Sequence, residues 1–230
     1  MDFFVKWRNA NKMINDKYNM TQEQNIFYAK RNIVDSMWKS ANLEGIAITF
    51  PETQKIYDGG NVSNLRIDEI VTVNNLKHAW QFILSTITSK LDFDYIASVH
   101  SLVGSNLIES PGKLRIYDVK MGGTNWKPEI PSVNKLNEVI ENYLQNSNIT
   151  DAILELMCKL MKMQLFNDGN KRTAMLIANH ELIKSGKGII SISMEFKEEF
   201  GDKLISYYEN EDKLEELKTF LFANSLDGLK

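Results

Sequence analysis

The sequence holds a single cysteine, Cys158, so no internal disulfide can form and the fold must rest on its core. Cys158 lies in an apolar, helix-like run and reads as a small buried hydrophobe. Thiols that form no disulfide fit a reducing compartment, and a cytoplasmic location is expected. Long apolar runs are missing: none approaches the ~18 residues of a membrane span. The opening residues MDFFVKWRNANKM have neither a continuous apolar core nor a small-residue cleavage site, so no signal peptide is expected. An excess of one charge is also missing. The 27 Lys+Arg and 30 Asp+Glu leave a net charge of −3, which gives no general attraction to nucleic acid or to an anionic membrane. Internal repeats, heptads and low-complexity segments are absent. What is present is an ordinary globular composition, 43% hydrophobic and 25% charged, sufficient for one large domain or one domain with a small appendage.

Helical periodicity dominates the chain. Glu23 to Asn42 is a predicted helix, with Thr21 and Gln24 in capping-box spacing and Gly45 just past its end. Ile46 to Gly60 is expected to be short, extended and turn-rich. Further helices are expected over Asp68–Leu91, Asp92–Val103 and Val133–Gln145. Thr150 is the expected cap of a helix running to Met163. Lys171–Lys184 is apolar nearly all round, which predicts a central buried helix. Met194–Tyr208 and Asp212–Ala223 complete the series. The one marked β signal is Pro111–Gly123, where Leu114, Ile116, Tyr117, Val119 and Met121 suit a strand of a hairpin. The fold class is therefore mainly α with one small hairpin.

Between two apolar helices stands Phe166-Asn167-Asp168-Gly169-Asn170-Lys171-Arg172-Thr173. The first amides of a helix lack internal partners, and the helix dipole makes that end positive. Gly169 permits a backbone in which successive N–H groups converge on an anion, and Lys171 and Arg172 add charge at the same place. Such a loop suits a diphosphate. Asp168 beside phosphate is best explained by a shared Mg²⁺. A plain turn between two helices has the same composition, so the residues alone leave both readings open. A calcium-binding EF-hand loop is excluded because Phe166 and Met175 would have to be oxygen ligands. A Walker-type loop is excluded because no Gly-Lys-Ser/Thr ending is present.

"QLFNDGNKRTA" resembles the signature of the Fic domain family, His-x-Phe-x-Asp/Glu-Gly-Asn-Gly/Lys-Arg. "SANLEGIAIT" resembles the family's inhibitory Ser/Thr-x-x-x-Glu-Gly motif, placing Ser40, Glu44 and Gly45 in it. "TFPETQKIYDGG" resembles the segment that follows. "SPGKLRIYDVKMGG" resembles the Pro-Gly-x-x-Arg flap that borders the active site. The four motifs occur in family order over Ser40–Gly186. The resemblance implies a Fic-type helical bundle with a small β-hairpin flap. The expected division is 1–60 for the N-terminal helix, inhibitory motif and extended segment, 61–200 for the Fic core, and 201–230 for C-terminal helices packed on it.

The implied activity is transfer of AMP from ATP to a hydroxyl of a target protein (AMPylation). The implied roles follow from the matched positions. Asp168 would hold Mg²⁺. Gly169, Asn170, Lys171 and Arg172 would bind the phosphates. Val119, Lys120, Met121 and Gly122 would dock the target's main chain, and Glu44 would obstruct the γ-phosphate position. The implied partner is a hydroxyl-bearing protein, with no nucleic acid and no membrane, and with self-association left open.

Two positions depart from the pattern. Gln164 stands where the family has the histidine that takes the hydroxyl's proton, and an amide cannot act as that base. Met175 stands where many relatives carry an arginine that grips the γ-phosphate and the inhibitory glutamate. Whether the chain is an enzyme is therefore open. It is expected to be an impaired or conditional adenylyltransferase, or a nucleotide-binding module without turnover. Other chemistry at the same site is a further option: Glu44 activating water to remove AMP, or Lys171 favouring phosphoryl transfer. His180 and His100 are expected to be packing residues, and nothing singles out His78.

Overall fold

The computed structural model describes residues 14–230, so the expectation about MDFFVKWRNANKM lies outside the described residues. In chain order the helices are α1 (Gln22–Leu43), α2 (Phe50–Tyr57), α3 (Ile67–Ser85), α4 (Phe93–Val103), α5 (Val133–Gln145), α6 (Ile149–Met163) and α7 (Asn170–Lys184). After β1 (Ile189–Ile190) come α8 (Lys197–Glu209), α9 (Leu214–Asn224) and β2 (Leu226–Asp227). The protein is thus mainly α, as the periodicity predicts. None of the described helices is long and apolar enough to cross a membrane.

The middle of the molecule is α7. Every residue from Arg172 to Ile183 is buried, and the helix packs against α1, α3, α4 and α6. One hydrophobic cluster runs from Ile14 to Leu226. It takes residues from all three expected segments, so α1 and the C-terminal helices share a core with the centre. Cys158 is fully buried in it, and burial pushes its thiol pKa up.

α1 begins as predicted: Thr21 accepts from the Gln24 N–H, and the Gln24 side chain accepts from the Thr21 N–H. Its far end is closed by Glu44, after which Gly45 turns at φ +88°. The next segment corrects an expectation. Ile46–Gly60 is not all extended, because Phe50–Tyr57 is helical, with Thr49 and Glu52 forming a capping box. Pro51, read as punctuation, sits in the first turn, where its missing N–H costs nothing.

The predicted cap of α6 is also displaced. Asn148 caps the helix, while the Thr150 hydroxyl donates to Asp16.

The larger correction concerns the hairpin. Pro111–Gly123 contains no strand; the described sheet is the antiparallel pair β1–β2. That pair is extended by side-chain amides. Asn179 of α7 exchanges two 2.9 Å hydrogen bonds with the Ile190 backbone, and Asn25 of α1 does the same with Gly188 at 3.0 and 2.7 Å. Two helices thus serve as neighbours to a strand too short to be stable alone.

Candidate functional site

The Fic-like loop joins α6 to α7. α6 ends at Gln164, a non-glycine residue in the left-handed region at φ 45°, ψ 58°. That conformation costs about 1 kcal/mol or more and needs local support. The support is present. The Gln164 carbonyl accepts from Arg115 Nε at 2.6 Å. The Gln164 amide nitrogen donates to the Met161 carbonyl at 2.6 Å and lies 3.5 Å from the Tyr208 hydroxyl. Its amide oxygen accepts from Asn170 at 3.1 Å. Gln164 is therefore buried and turned inward.

Asn170 closes the loop from the other side. Its side-chain amide accepts from the Phe166 N–H at 2.9 Å and donates to the Phe166 carbonyl at 2.8 Å. The Asn170 side chain is thus spent inside the loop. Phe166 is buried, as its apolar character predicts, and stacks on His100 with ring centroids 3.7 Å apart.

His100 is the first residue that sequence reasoning missed. The Gly112 N–H donates to its Nδ1 at 2.8 Å. The ring is therefore the Nε2–H tautomer, and Nε2 donates to the Asp168 carbonyl at 2.8 Å. Burial, against the Asp168 hydrogen bond, holds its pKa below the ordinary value, consistent with a neutral ring. No spacing in the sequence signals this, because His100 lies 68 positions from its partner.

Gly169 has φ +75°, and a Cβ there would lie 3.2 Å from Val103 and 3.4 Å from His100. Both the turn and the close approach require glycine. No side chain caps the start of α7. The Gly169 N–H bonds to Asp168 Oδ1 at 2.6 Å, and the first-turn amides that follow are left open.

The charges converge on this point. Arg172, only 8% exposed, reaches Asp168 Oδ2 at 3.3 Å, whereas the Asp168 side chain is 70% exposed. The Glu44 carboxylate arrives from the end of α1, 3.2 Å from Lys171 Nζ and 3.7 Å from Arg172 Nε. These are charge contacts and not hydrogen bonds, since Glu44 Oε1 and Arg172 Nε have no hydrogen-bond partner. A carboxylate at the positive end of α7, beside two cations, stands where an anionic ligand would be most stable. Met175 is buried in the core, so the cations facing Glu44 are Lys171 and Arg172. Ser40, one turn before Glu44, is buried in α1.

Arg115, the arginine of the Pro-Gly-x-x-Arg spacing, has no role of its own in the sequence reading and is 1% exposed. Its backbone N–H donates to the Leu165 carbonyl at 2.9 Å. The Pro-Gly-x-x-Arg spacing is the available signal in the sequence, and it does not reveal that the side chain points inward. The expected docking residues Val119, Lys120, Met121 and Gly122 follow it in a segment without regular structure. A groove of about 800 Å³, lined among others by Trp126, Lys162, Met163 and Tyr208, includes neither Gln164 nor the Asp168–Arg172 loop.

Residues 90–182 match the model of the Fic/DOC family. That stretch of the chain is similar to the Fic/DOC family. The matched segment takes in the loop, His100 and the 111–123 flap, but not Ser40–Gly45. Solved structures agree on the fold. The chain is similar to C. elegans Fic-1 (aa134–508), with a TM-score of 0.70 and 20% identity over 85% of this chain and 61% of that one. It is similar to a Fic-domain-containing signalling protein from Bacteroides thetaiotaomicron, with a TM-score of 0.71 and 16% identity over 96% and 90%. A Fic family protein from Desulfovibrio desulfuricans G20 gives 0.62 and 16% over 87% and 66%. This chain thus spans about 61% of the C. elegans structure's length. No curated protein matches it.

Proposed function

We propose that this Fic domain binds ATP with Mg²⁺ at the start of α7 and is related in activity to enzymes that transfer AMP to a hydroxyl of a target protein. The Fic fold is generally associated with transfer of nucleotide-derived groups. The observation that carries the reading is the uncapped start of α7, flanked by Lys171 and Arg172 and facing Asp168. Backbone amides of the first turn and the two cations would bind phosphate oxygens.

Asp168 fits Mg²⁺. No cluster of three or more candidate metal ligands exists among the described residues, and Mg²⁺ in nucleotide sites is held by one or two carboxylates plus phosphates. Asp168 is one exposed carboxylate. The ion would neutralise charge on the phosphates.

In AMP transfer the target's hydroxyl oxygen attacks the α-phosphorus. The bond to pyrophosphate breaks, and the hydroxyl proton must leave. Gln164 cannot take that proton. Its amide is engaged with Met161 and Asn170, which favours a protein that binds nucleotide and turns it over slowly or not at all. Ser40, Glu44 and Gly45 form the inhibitory element in this reading, and Val119–Gly122 receives the target in a cytoplasmic setting. Labelled ATP with Mg²⁺ tests the proposal. Gln164→His should raise AMP transfer by about 10²–10⁴ over the present chain. Product mass distinguishes AMP transfer from phosphoryl transfer. Absence of ATP binding by calorimetry in both proteins would sink the reading.

A further inference from the structure

Arg115 is a buried cation with no carboxylate on it. Its guanidinium is divided among backbone carbonyls: Nε donates to Gln164 at 2.6 Å, Nη1 to Tyr117 at 2.8 Å, and Nη2 to Pro128 at 3.3 Å and to Glu129. These acceptors belong to separate stretches of chain: the α6–α7 loop, the flap, and the segment returning toward α5. A β-ladder would ordinarily join such stretches, and none is present. From Ile116 to Gly123 no backbone N–H of the flap has a hydrogen-bond partner among the described residues. Ile116 and Tyr117 are 71% and 68% exposed.

We infer that Arg115 is the positioning residue of the flap. One guanidinium holds the flap against the carbonyl of the residue at the catalytic position and leaves the flap's own main chain free for an extended segment of the target. The target part of this inference rests on the function proposed above, whereas the anchoring does not. Desolvating the charge is costly unless every donor is matched, and only the planar fork of arginine can serve carbonyls on several sides at once. A lysine keeps the charge and loses the geometry.

Trypsin provides the test, because Lys120 lies in the flap, while Lys159 lies in α6. The present chain, Arg115→Lys and Arg115→Ala are digested with and without millimolar guanidinium chloride, and Mg–ATP binding is measured by calorimetry. Cleavage after Lys120 should accelerate about tenfold in both variants, as expected for losing about 1.4 kcal/mol of local closure. Cleavage after Lys159 should hold steady. Guanidinium ion should slow flap cleavage in Arg115→Ala alone, by refilling the site. Equal acceleration at both lysines would overturn the inference in favour of general stability, as would unchanged flap cleavage. Should Arg115→Ala not fold, Arg115→Lys carries the same comparison. A failure of the starting protein to bind ATP would sink the proposed function and leave the proteolysis result standing.

Discussion

At the scale of single residues, the loop is defined by what Gln164 and Gly169 cannot give up. Gln164 occupies a left-handed turn and satisfies its amide within the protein, so a shorter side chain there strands the Asn170 amide. Gly169 combines φ +75° with packing against Val103 and His100. Gly169→Ala should lower stability by about 1–3 kcal/mol, read from the denaturation midpoint. Glu44 behaves differently, because it touches cations without hydrogen-bonding to them. Replacing it removes a competitor for the start of α7. Glu44→Gly should tighten Mg–ATP binding by about tenfold, equivalent to about 1.4 kcal/mol, measured by calorimetry. An unchanged affinity would mean that nucleotide and carboxylate do not share the place.

At the scale of elements, the helices were legible because burial repeats along them. α1, α5 and α7 fall close to their predicted limits, and Thr21 caps as its spacing indicates. The misread elements share a cause. α2 depends on Thr49 and Glu52 capping a helix too short to show periodicity, and Pro51 looked like a stop. The flap has strand-like alternation, but Arg115 takes the carbonyls that a ladder would use, a long-range choice that no local window contains. The loop's charged residues could be named from sequence, but not the turning of Gln164 inward or the support of His100. The β1 strand carries a prediction of its own. Asn179 replaces a missing strand neighbour, so Asn179→Ala leaves the N–H and carbonyl of Ile190 unpaired in the core. The cost should be about 2–4 kcal/mol by urea denaturation.

At the scale of the whole molecule, two hydrogen-bonded carboxylates, Glu181 and Asp16, tie distant parts together. Burial pushes the Glu181 carboxyl up, but hydrogen bonds from His180 and Tyr143 outweigh it and leave the pKa below its ordinary 4.5. Asp16 is likewise held below 3.8, where burial is outweighed by Lys187 and Thr150. A carboxyl depressed in the folded state contributes fully above its unfolded value and loses that contribution as pH falls through the folded one. The melting temperature should therefore be steady near neutrality and fall below about pH 4.5, and Glu181→Gln should flatten part of that fall.

α1 touches both ends of α7. The Met20 N–H meets the Gly186 carbonyl at 2.8 Å beyond the C-terminal end, and Glu44 meets Lys171 at the other. Ala29, Ile33, Met37 and Ala41 are buried along the way. Swinging the helix aside to clear the site would wet that entire stripe, whereas rotating the Glu44 side chain disturbs only its own torsions and its contacts with Lys171 and Arg172. In the proposed reading Glu44 is thus a turnstile set in a fixed post, one that an incoming anion would push round without shifting the wall behind it.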